Sequence, residues 1–206
     1  MTKRITISTL DAMKASGDKF VMITAYDATF ARLASEAGAE TILVGDSLGM
    51  VLQGHETTIP VSLDAMAYHT ECVTRARPHS LIVADLPFMS FSNAEDTLHA
   101  STRLMQAGAQ MVKLEGGTWL SDSIHRLVER GVPVCAHLGL TPQSVNVFGG
   151  YRVQGRTPKE AKSILADAVE IQDAGASLLV LECIPAELAA DISSKLDIPV
   201  IGIGAG

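Results

Sequence analysis

Seven short apolar runs alternate with segments of helical periodicity along this chain, and this alternation restricts the fold more than any other feature. Strands that alternate with helices are typical of a parallel sheet with right-handed crossover connections. The predicted strands cover residues 20–25, 41–45, 80–86, 110–115, 132–137, 177–183 and 199–203. The predicted helices cover residues 8–16, 28–37, 63–76, 94–107, 120–130, 158–173 and 186–196.

A recurring tripeptide supports these boundaries. Ala-Gly-Ala occurs at residues 37–39, 107–109 and 174–176, each time where a predicted helix ends and a strand follows. We expect the glycines that follow predicted helices to adopt the left-handed conformation that ends many helices. These glycines are Gly38, Gly108, Gly131 and Gly175. Polar residues that precede helices are the expected N-caps, namely Ser62, Asn93 and Thr157.

The number of strands bears on how the sheet closes. A (β/α)8 TIM barrel needs eight strands and typically about 250 residues, whereas this chain has 206 residues and seven predicted strands. An open seven-stranded sheet would leave two unpaired edges beside an aliphatic core, which natural proteins avoid. We therefore expect one α/β barrel domain over residues 1–206 that lacks its eighth strand and closing helices, so that the native product is longer.

Composition excludes several classes of protein. Hydrophobic residues make up 47% of the chain and aromatic residues only 4%, which fits Val-, Ile- and Leu-rich strands buried on both faces. A formal net charge of −7 argues against a nucleic-acid partner. No apolar run approaches the roughly 18 residues of a membrane helix. The three cysteines, Cys72, Cys135 and Cys183, form no CxxC motif and are odd in number, so we predict a cytoplasmic protein with free thiols.

Polar side chains stand at or near the ends of the apolar runs, and they are the candidate site residues. In a parallel barrel the carboxyl ends of the strands and the loops that follow them meet at one mouth, where such barrels build their active sites. We therefore expect these side chains to converge. They are Asp46, Ser47, Asp85, Lys113, Glu115, His137 and Glu182.

Asp46 and Asp85 follow neighbouring predicted strands. Two such carboxylates repel each other unless a positive charge lies between them. Lys113 is one candidate for that charge, and Mg²⁺ with oxygen ligands is the other. For either aspartate alone, a helix cap remains the simpler interpretation.

The remaining charged residues admit two interpretations each. Lys113 and Glu115 are two apart on one strand and share a face, so Glu115 either reaches a metal or forms an ion pair with Lys113. Glu182, between Leu181 and Cys183, suits a general base, or it pairs with a distant Arg or Lys. His137 is either a hydrogen-bond donor to a bound acid or a structural residue.

The segment FGGYRVQGR, residues 148–156, lacks the GxxxxGK[ST] order of a phosphate-binding loop. It predicts a flexible loop after the fifth strand. Arg152 and Arg156 in this loop either meet an anionic cofactor tail or are simply solvated.

Six segments in order resemble the ketopantoate (3-methyl-2-oxobutanoate) hydroxymethyltransferase family over residues 6–206. They are VGDSLGMVLQGHETTIPV, ADLPFMSF, MVKLEGG, AHLGLTPQSVNVFGGYRVQGR, LVLEC and PVIGIGAG. The resemblance implies a barrel like that of phosphoenolpyruvate mutase and isocitrate lyase. It also implies that Asp46, Asp85 and Glu115 are metal-binding, that Asp46, Ser47, Asp85 and Lys113 contact the substrate, and that Glu182 is the proton acceptor.

The resemblance further implies an Mg²⁺-dependent reaction in pantothenate biosynthesis. A hydroxymethyl group passes from 5,10-methylenetetrahydrofolate to 3-methyl-2-oxobutanoate, giving 2-dehydropantoate, in a homo-oligomer expected to be a decamer. Two alternatives are a related barrel lyase or mutase acting on another 2-oxo acid, and an inactive truncated assembly subunit. The lyases carry a Lys-Arg-Cys-Gly-His type loop, and that string does not occur here.

Overall fold

The computed structural model describes residues 4–205, and its strands and helices alternate as the sequence predicts. The strands are β1 Met22–Thr24, β2 Thr41–Val44, β3 Leu81–Asp85, β4 Met111–Glu115, β5 Val134–Gly139, β6 Leu178–Glu182 and β7 Val200–Ile203. The helices are α1 Ile7–Ser16, α2 Ala28–Glu36, α3 Leu48–Val51, α4 Leu63–Arg75, α5 Ala94–Gln106, α6 Ser121–Glu129, α7 Val145–Phe148, α8 Pro158–Asp173 and α9 Ala186–Lys195.

The chain forms two compact units, one ending at Lys113 and one beginning at Leu114. In the first unit β1, β2, β3 and the start of β4 are successive parallel neighbours. Every residue of β3 is buried, as are Thr41, Ile42 and Val44 of β2. Helices α2, α4 and α5 contribute buried apolar side chains to the core of this unit, and these include Ala31, Met66 and Leu104.

In the second unit β5, β6 and β7 are successive parallel neighbours. The register sets Gly139 at the end of β5 opposite Glu182 at the end of β6. Ile124 and Leu127 of α6, and Ala168 and Ile171 of α8, bury their side chains in this unit. Burial on both faces explains why β5 and β6 read as nearly continuous aliphatic runs, whereas Gly202 and Ile203 of β7 are exposed.

All seven predicted strands and seven predicted helices are confirmed, with ends that shift by one or two residues. The sequence analysis missed the four-residue helices α3 and α7 and the 3-10 turns Thr118–Leu120 and Pro142–Ser144. Elements this short are under two helical turns, so no apolar periodicity marks them. The single barrel domain, the eighth strand and the closing helices stay predictions.

The predicted caps are confirmed. Gly38, Gly108, Gly131 and Gly175 all have positive φ. The side chains of Ser62, Asn93 and Thr157 accept hydrogen bonds from backbone amides in the first turn of α4, α5 and α8. Thr6 and Asp27 are further side-chain N-caps, of α1 and α2, which the sequence analysis did not name.

The three cysteines are free, as predicted. Cys135 is buried, and Cys72 and Cys183 are partly exposed. Among the helices of residues 4–205, none combines the length and the hydropathy that crossing a bilayer requires.

We expect Gly139→Ala to destabilise the protein by about 3 kcal/mol, since steric overlap and backbone strain act together there. Gly139 has φ +90°, and an added Cβ would lie 2.3 Å from the carbonyl oxygen of Glu182. Glu182 belongs to the paired strand β6, so this oxygen cannot move away unless the pairing of β6 is broken. The control is Gly17→Ala, where φ is +78° but no atom lies within 4 Å of the added Cβ. The control should cost only about 1 kcal/mol. Urea denaturation of both variants measures the difference, and equal losses would contradict the steric explanation.

Candidate active site

A buried ion pair joins the ends of two strands in the first unit. Asp85 is the last residue of β3, and the parallel register sets it beside Lys113 of β4. The Lys113 Nζ atom donates a hydrogen bond to Asp85 Oδ1, and both side chains are only 4% exposed. The Asp46 backbone amide donates to Asp85 Oδ2 at 3.1 Å. We call Asp46, Ser47, Asp85 and Lys113 the first cluster.

The turn that carries Asp46 and Ser47 connects β2 to the short helix α3. Gly45 precedes these two residues, and an added Cβ there would lie 2.8 Å from Ser47 Oγ and 3.4 Å from Asp85 Oδ2. A side chain at this position would therefore displace the Ser47 hydroxyl, whereas Asp85 would remain at ordinary contact distance. Glycine leaves room at this point for the Ser47 side chain to fold back over the turn.

Tyr26 belongs to the same part of the first unit, although the sequence analysis did not select it. Its hydroxyl lies 2.9 Å from Ser47 Oγ, and its carbonyl oxygen lies 2.8 Å from His69 Nδ1. Tyr26 follows β1 by two residues, so its place after an apolar run was the signal that could have identified it.

Burial raises the pKa of the Tyr26 phenol above its ordinary value, the charges of Asp85 and Asp46 raise it further, and the Ser47 hydrogen bond lowers it. The phenol is therefore neutral near physiological pH. A neutral phenol has one proton to donate, and the Ser47 hydroxyl lies within its reach.

A histidine between two glutamates forms a second cluster, within the second unit. His137 of β5 has Nδ1 3.3 Å from Glu115 Oε1 and Nε2 3.4 Å from Glu182 Oε2. The backbone amide of Gln143 donates to Glu115 Oε2 at 3.0 Å. We call Glu115, His137 and Glu182 the second cluster.

The side chains of the second cluster differ in access to solvent. Those of His137 and Glu115 are 2% and 3% exposed, whereas that of Glu182 is 21% exposed. The sequence analysis allowed an ion pair between Glu182 and an Arg or Lys, and the structure gives Glu182 a histidine neighbour. Glu182 is therefore accessible from outside the core, and one of its carboxylate oxygens lies beside the His137 ring.

Cys183 directly follows Glu182 and has a positive φ of 47°. Its amide donates to the Ile203 carbonyl at 2.9 Å, which joins the ends of β6 and β7. Burial raises the pKa of the Cys183 thiol, and the charge of Glu182 raises it further. Since a reactive cysteine needs a thiolate, these features fit a packing role for Cys183.

The glycine-rich segment, residues 148–156, begins at the last residue of helix α7 and continues as a loop over residues 149–156. The Gln154 amide donates to the Cys183 carbonyl at 2.8 Å, which ties this loop to the end of β6. The predicted loop is therefore present, and one backbone hydrogen bond holds it beside the residue after Glu182.

The donor set of the first cluster fits Mg²⁺. This ion prefers oxygen ligands and typically takes one or two carboxylates together with water or substrate atoms. Asp46 and Asp85 are both 3% exposed and supply such oxygens. Within the part of the chain that the structure describes, no three His, Cys, Asp or Glu side chains are gathered closely enough to hold a metal alone. An Mg²⁺ ion bound by these two carboxylates would take its other ligands from water or substrate.

The structure thus brings the predicted residues together in two groups. Asp46, Asp85 and Lys113 interact directly, as do Glu115, His137 and Glu182. The ligand roles of these residues, and the convergence of both groups on one barrel mouth, stay predictions.

Solved structures with a similar fold include a 2,3-dimethylmalate lyase of the PEP mutase/isocitrate lyase superfamily, with a TM-score of 0.69 and 17% identity over 95% of this chain and 70% of that one. A phosphoenolpyruvate phosphomutase from Streptomyces platensis subsp. rosaceus has a TM-score of 0.71 and 16% identity over 95% of this chain and 72% of its own. At this identity the likeness shows the fold alone, and it supports a TIM-like barrel of parallel strands.

Sequence comparison is more specific. A 3-methyl-2-oxobutanoate hydroxymethyltransferase from Pseudomonas putida is 58% identical over 202 residues, which are 98% of this chain and 76% of the relative. The enzyme of that name from Saccharophagus degradans is 55% identical over 206 residues, which are 100% of this chain and 76% of the relative. The sequence model of ketopantoate hydroxymethyltransferase matches residues 4–206. This chain therefore belongs to the ketopantoate hydroxymethyltransferase family.

Proposed function

We propose that this chain transfers a hydroxymethyl group from 5,10-methylenetetrahydrofolate to 3-methyl-2-oxobutanoate and so forms 2-dehydropantoate, a step of pantothenate biosynthesis. The observation that carries the proposal is 58% identity to a 3-methyl-2-oxobutanoate hydroxymethyltransferase over 98% of the chain. The test is formation of 2-dehydropantoate from the two substrates in the presence of Mg²⁺. A related lyase or mutase, or an inactive assembly subunit, would form none.

In this proposal Asp46 and Asp85 hold Mg²⁺, with Glu115 as the third metal-associated carboxylate. Bound there, Mg²⁺ would supply Lewis acidity that stabilises negative charge on the oxygens of the keto acid. The buried oxygen donors of Asp46 and Asp85 support this assignment. Glu115 is supported by its position two residues after Lys113 on β4, which sets both side chains on the same face of the strand.

Asp46, Ser47, Asp85 and Lys113 contact the keto acid in this proposal. Lys113 is held by Asp85, so its ammonium group has a fixed position from which to stabilise an oxyanion. The hydroxyl of Ser47, which lies beside that of Tyr26, is a second hydrogen-bonding group for the substrate.

Glu182 is the proposed proton acceptor. It removes the proton on C3 of the keto acid, and the electron pair of that C–H bond becomes the nucleophile that attacks the one-carbon unit. Its partial exposure and its contact with His137 support this role, because a general base must be both accessible and fixed in position.

The number of bonds that C3 of the keto acid can form limits how the folate can deliver the one-carbon unit. The C3 atom of the keto acid carries one hydrogen, and the new carbon–carbon bond makes this atom quaternary. A folate–CH₂–C3 adduct would have no C3 proton left with which to eliminate folate. We therefore propose that water first adds to the methylene carbon and gives a hydroxymethyl-folate. This species either releases formaldehyde, to which the C3 carbanion adds, or is attacked at its hydroxymethyl carbon with the folate nitrogen as the leaving group.

Mutation of Asp85 tests the metal assignment. Asp85→Ala would leave the buried Lys113 without its carboxylate partner, which typically costs about 3–5 kcal/mol of stability. Asp85→Asn also removes the charge, but it keeps a side chain of the same size whose amide oxygen can accept a hydrogen bond from Lys113, so it is the milder test. We expect Mg²⁺ binding in calorimetry and turnover both to be lost, with the fold retained in circular dichroism.

The control is Asp173→Asn, the same chemical change on an exposed residue at the end of α8. It should leave Mg²⁺ binding and turnover at the wild-type level. Wild-type Mg²⁺ dependence in Asp85→Asn would show that the metal is held elsewhere.

Mutation of Glu182 tests the base. We expect Glu182→Gln to bind 3-methyl-2-oxobutanoate but to exchange its C3 hydrogen with deuterated water at least about 100-fold more slowly than the wild type. Nuclear magnetic resonance of the keto acid, without any folate, measures this half-reaction. Exchange at the wild-type rate would assign the base to another residue, with Lys113 the next candidate.

We also propose a cytoplasmic homo-oligomer, and a decamer as its size. The free cysteines support a reducing compartment. Light scattering of the purified protein should give ten times the 21.8 kDa mass of this chain. A monomeric mass would contradict the proposed assembly.

A further inference from the structure

The loop over residues 149–156 and the start of α8 form an open cavity in the second unit. Its volume is about 540 Å³. The residues that line it are Arg152, Val153, Gln154, Arg156, Thr157 and Glu160. Neither cluster described above contributes to this cavity.

The two arginines of the cavity carry charges that no neighbour neutralises. Within residues 4–205, neither guanidinium forms an ion pair or a hydrogen bond with another side chain. Glu160, the acidic residue of the cavity, directs Oε2 to the Thr157 amide at 3.1 Å as part of the α8 capping box. The cavity beside α2 differs, because its Arg75 is paired with Glu71 at 3.0 Å.

The backbone of the cavity is built into the fold. Gln154 donates its amide to the Cys183 carbonyl at 2.8 Å. Gly155 has φ +74°, and an added Cβ would lie 2.7 Å from Leu188 Cδ2 of α9, so the loop packs closely on this helix. Arg152 and Arg156 thus lie at either end of a short segment that is hydrogen-bonded to Cys183 and packed against α9.

The same hydrogen bond relates the cavity to the proposed base. Cys183 is the residue directly after Glu182. One backbone hydrogen bond and one peptide bond therefore connect Gln154 of the loop over residues 149–156 to the proposed base. Gln154, which lines the cavity, is thus hydrogen-bonded to the residue that follows the proposed base.

We propose that this cavity binds the glutamate tail of the methylenetetrahydrofolate co-substrate, with Arg152 and Arg156 recognising the tail carboxylates. The inference rests on the proposed function. A guanidinium binds a carboxylate through two parallel N–H···O hydrogen bonds, which suits the carboxylates of a glutamate. Val153, with 49% of its surface exposed, adds an apolar contact for the aromatic ring that precedes the tail.

Steady-state kinetics of Arg152→Gln, Arg156→Gln and the double variant test the proposal. We expect the double variant to raise the KM for methylenetetrahydrofolate about tenfold, since each exposed charge-assisted contact contributes modestly. The KM for the keto acid and kcat should stay unchanged. The control, Lys162→Gln, removes one positive charge from an exposed position of α8 outside the cavity and should change neither constant.

A co-substrate without the tail identifies which part of the ligand the arginines contact. The wild type should have a KM for the carboxamide of 5,10-methylenetetrahydropteroate, which has no carboxylate, about as high as that of the double variant for the full co-substrate. The double variant should barely distinguish the two donors. If it loses affinity equally for both donors, or if Lys162→Gln has the same effect, the arginines act through general charge and the proposal is wrong.

Calorimetry with tetrahydrofolate and the carboxamide of tetrahydropteroate separates this inference from the proposed function. A wild type that forms no 2-dehydropantoate contradicts the function, yet tail-dependent binding that is lost in the double variant would still support the cavity assignment. A wild type that forms product and binds both pterins equally would overturn the cavity assignment and leave the function standing.

Discussion

The buried ion pair between Lys113 and Asp85 is the interaction on which the first unit's site depends. Two charges removed from water are costly, and each is tolerated because the other lies within hydrogen-bond distance. Asp85 also accepts the amide of Asp46, so the same carboxylate fixes the turn after β2. One side chain, that of Asp85, thus contacts both the turn after β2 and Lys113 of β4.

In the second unit a histidine lies between the two buried or partly buried carboxylates. Glu115 and Glu182 end different strands, and His137 lies within 3.4 Å of both. The Gln143 amide supports Glu115, whereas Glu182 remains partly exposed. This asymmetry matters for chemistry, because a sealed carboxylate can orient its neighbours while an accessible one can exchange protons. Gly139, opposite Glu182, keeps the ends of β5 and β6 close enough for this contact.

Family membership and local geometry carry different parts of the functional argument. The family is established by identity over nearly the whole chain, whereas the solved structures at under 20% identity share the fold and include lyases and mutases. The proposed chemistry therefore depends on particular side chains. In the proposed function, the pairing of Lys113 with Asp85 and the partial exposure of Glu182 serve the keto acid. The arginines of the loop after β5 serve the proposed folate co-substrate.

The sequence by itself determined the order of strands and helices, their caps, and the positions of Asp46, Asp85, Glu115 and Glu182 near strand ends. Apolar periodicity and helix-ending glycines are local signals that need no tertiary contact. Only the tertiary structure decided the partners: Lys113 with Asp85 across 28 residues, Tyr26 with Ser47 across 21, and His137 between two glutamates. Strand register sets these contacts, and register arises from packing between distant segments, which no local pattern encodes.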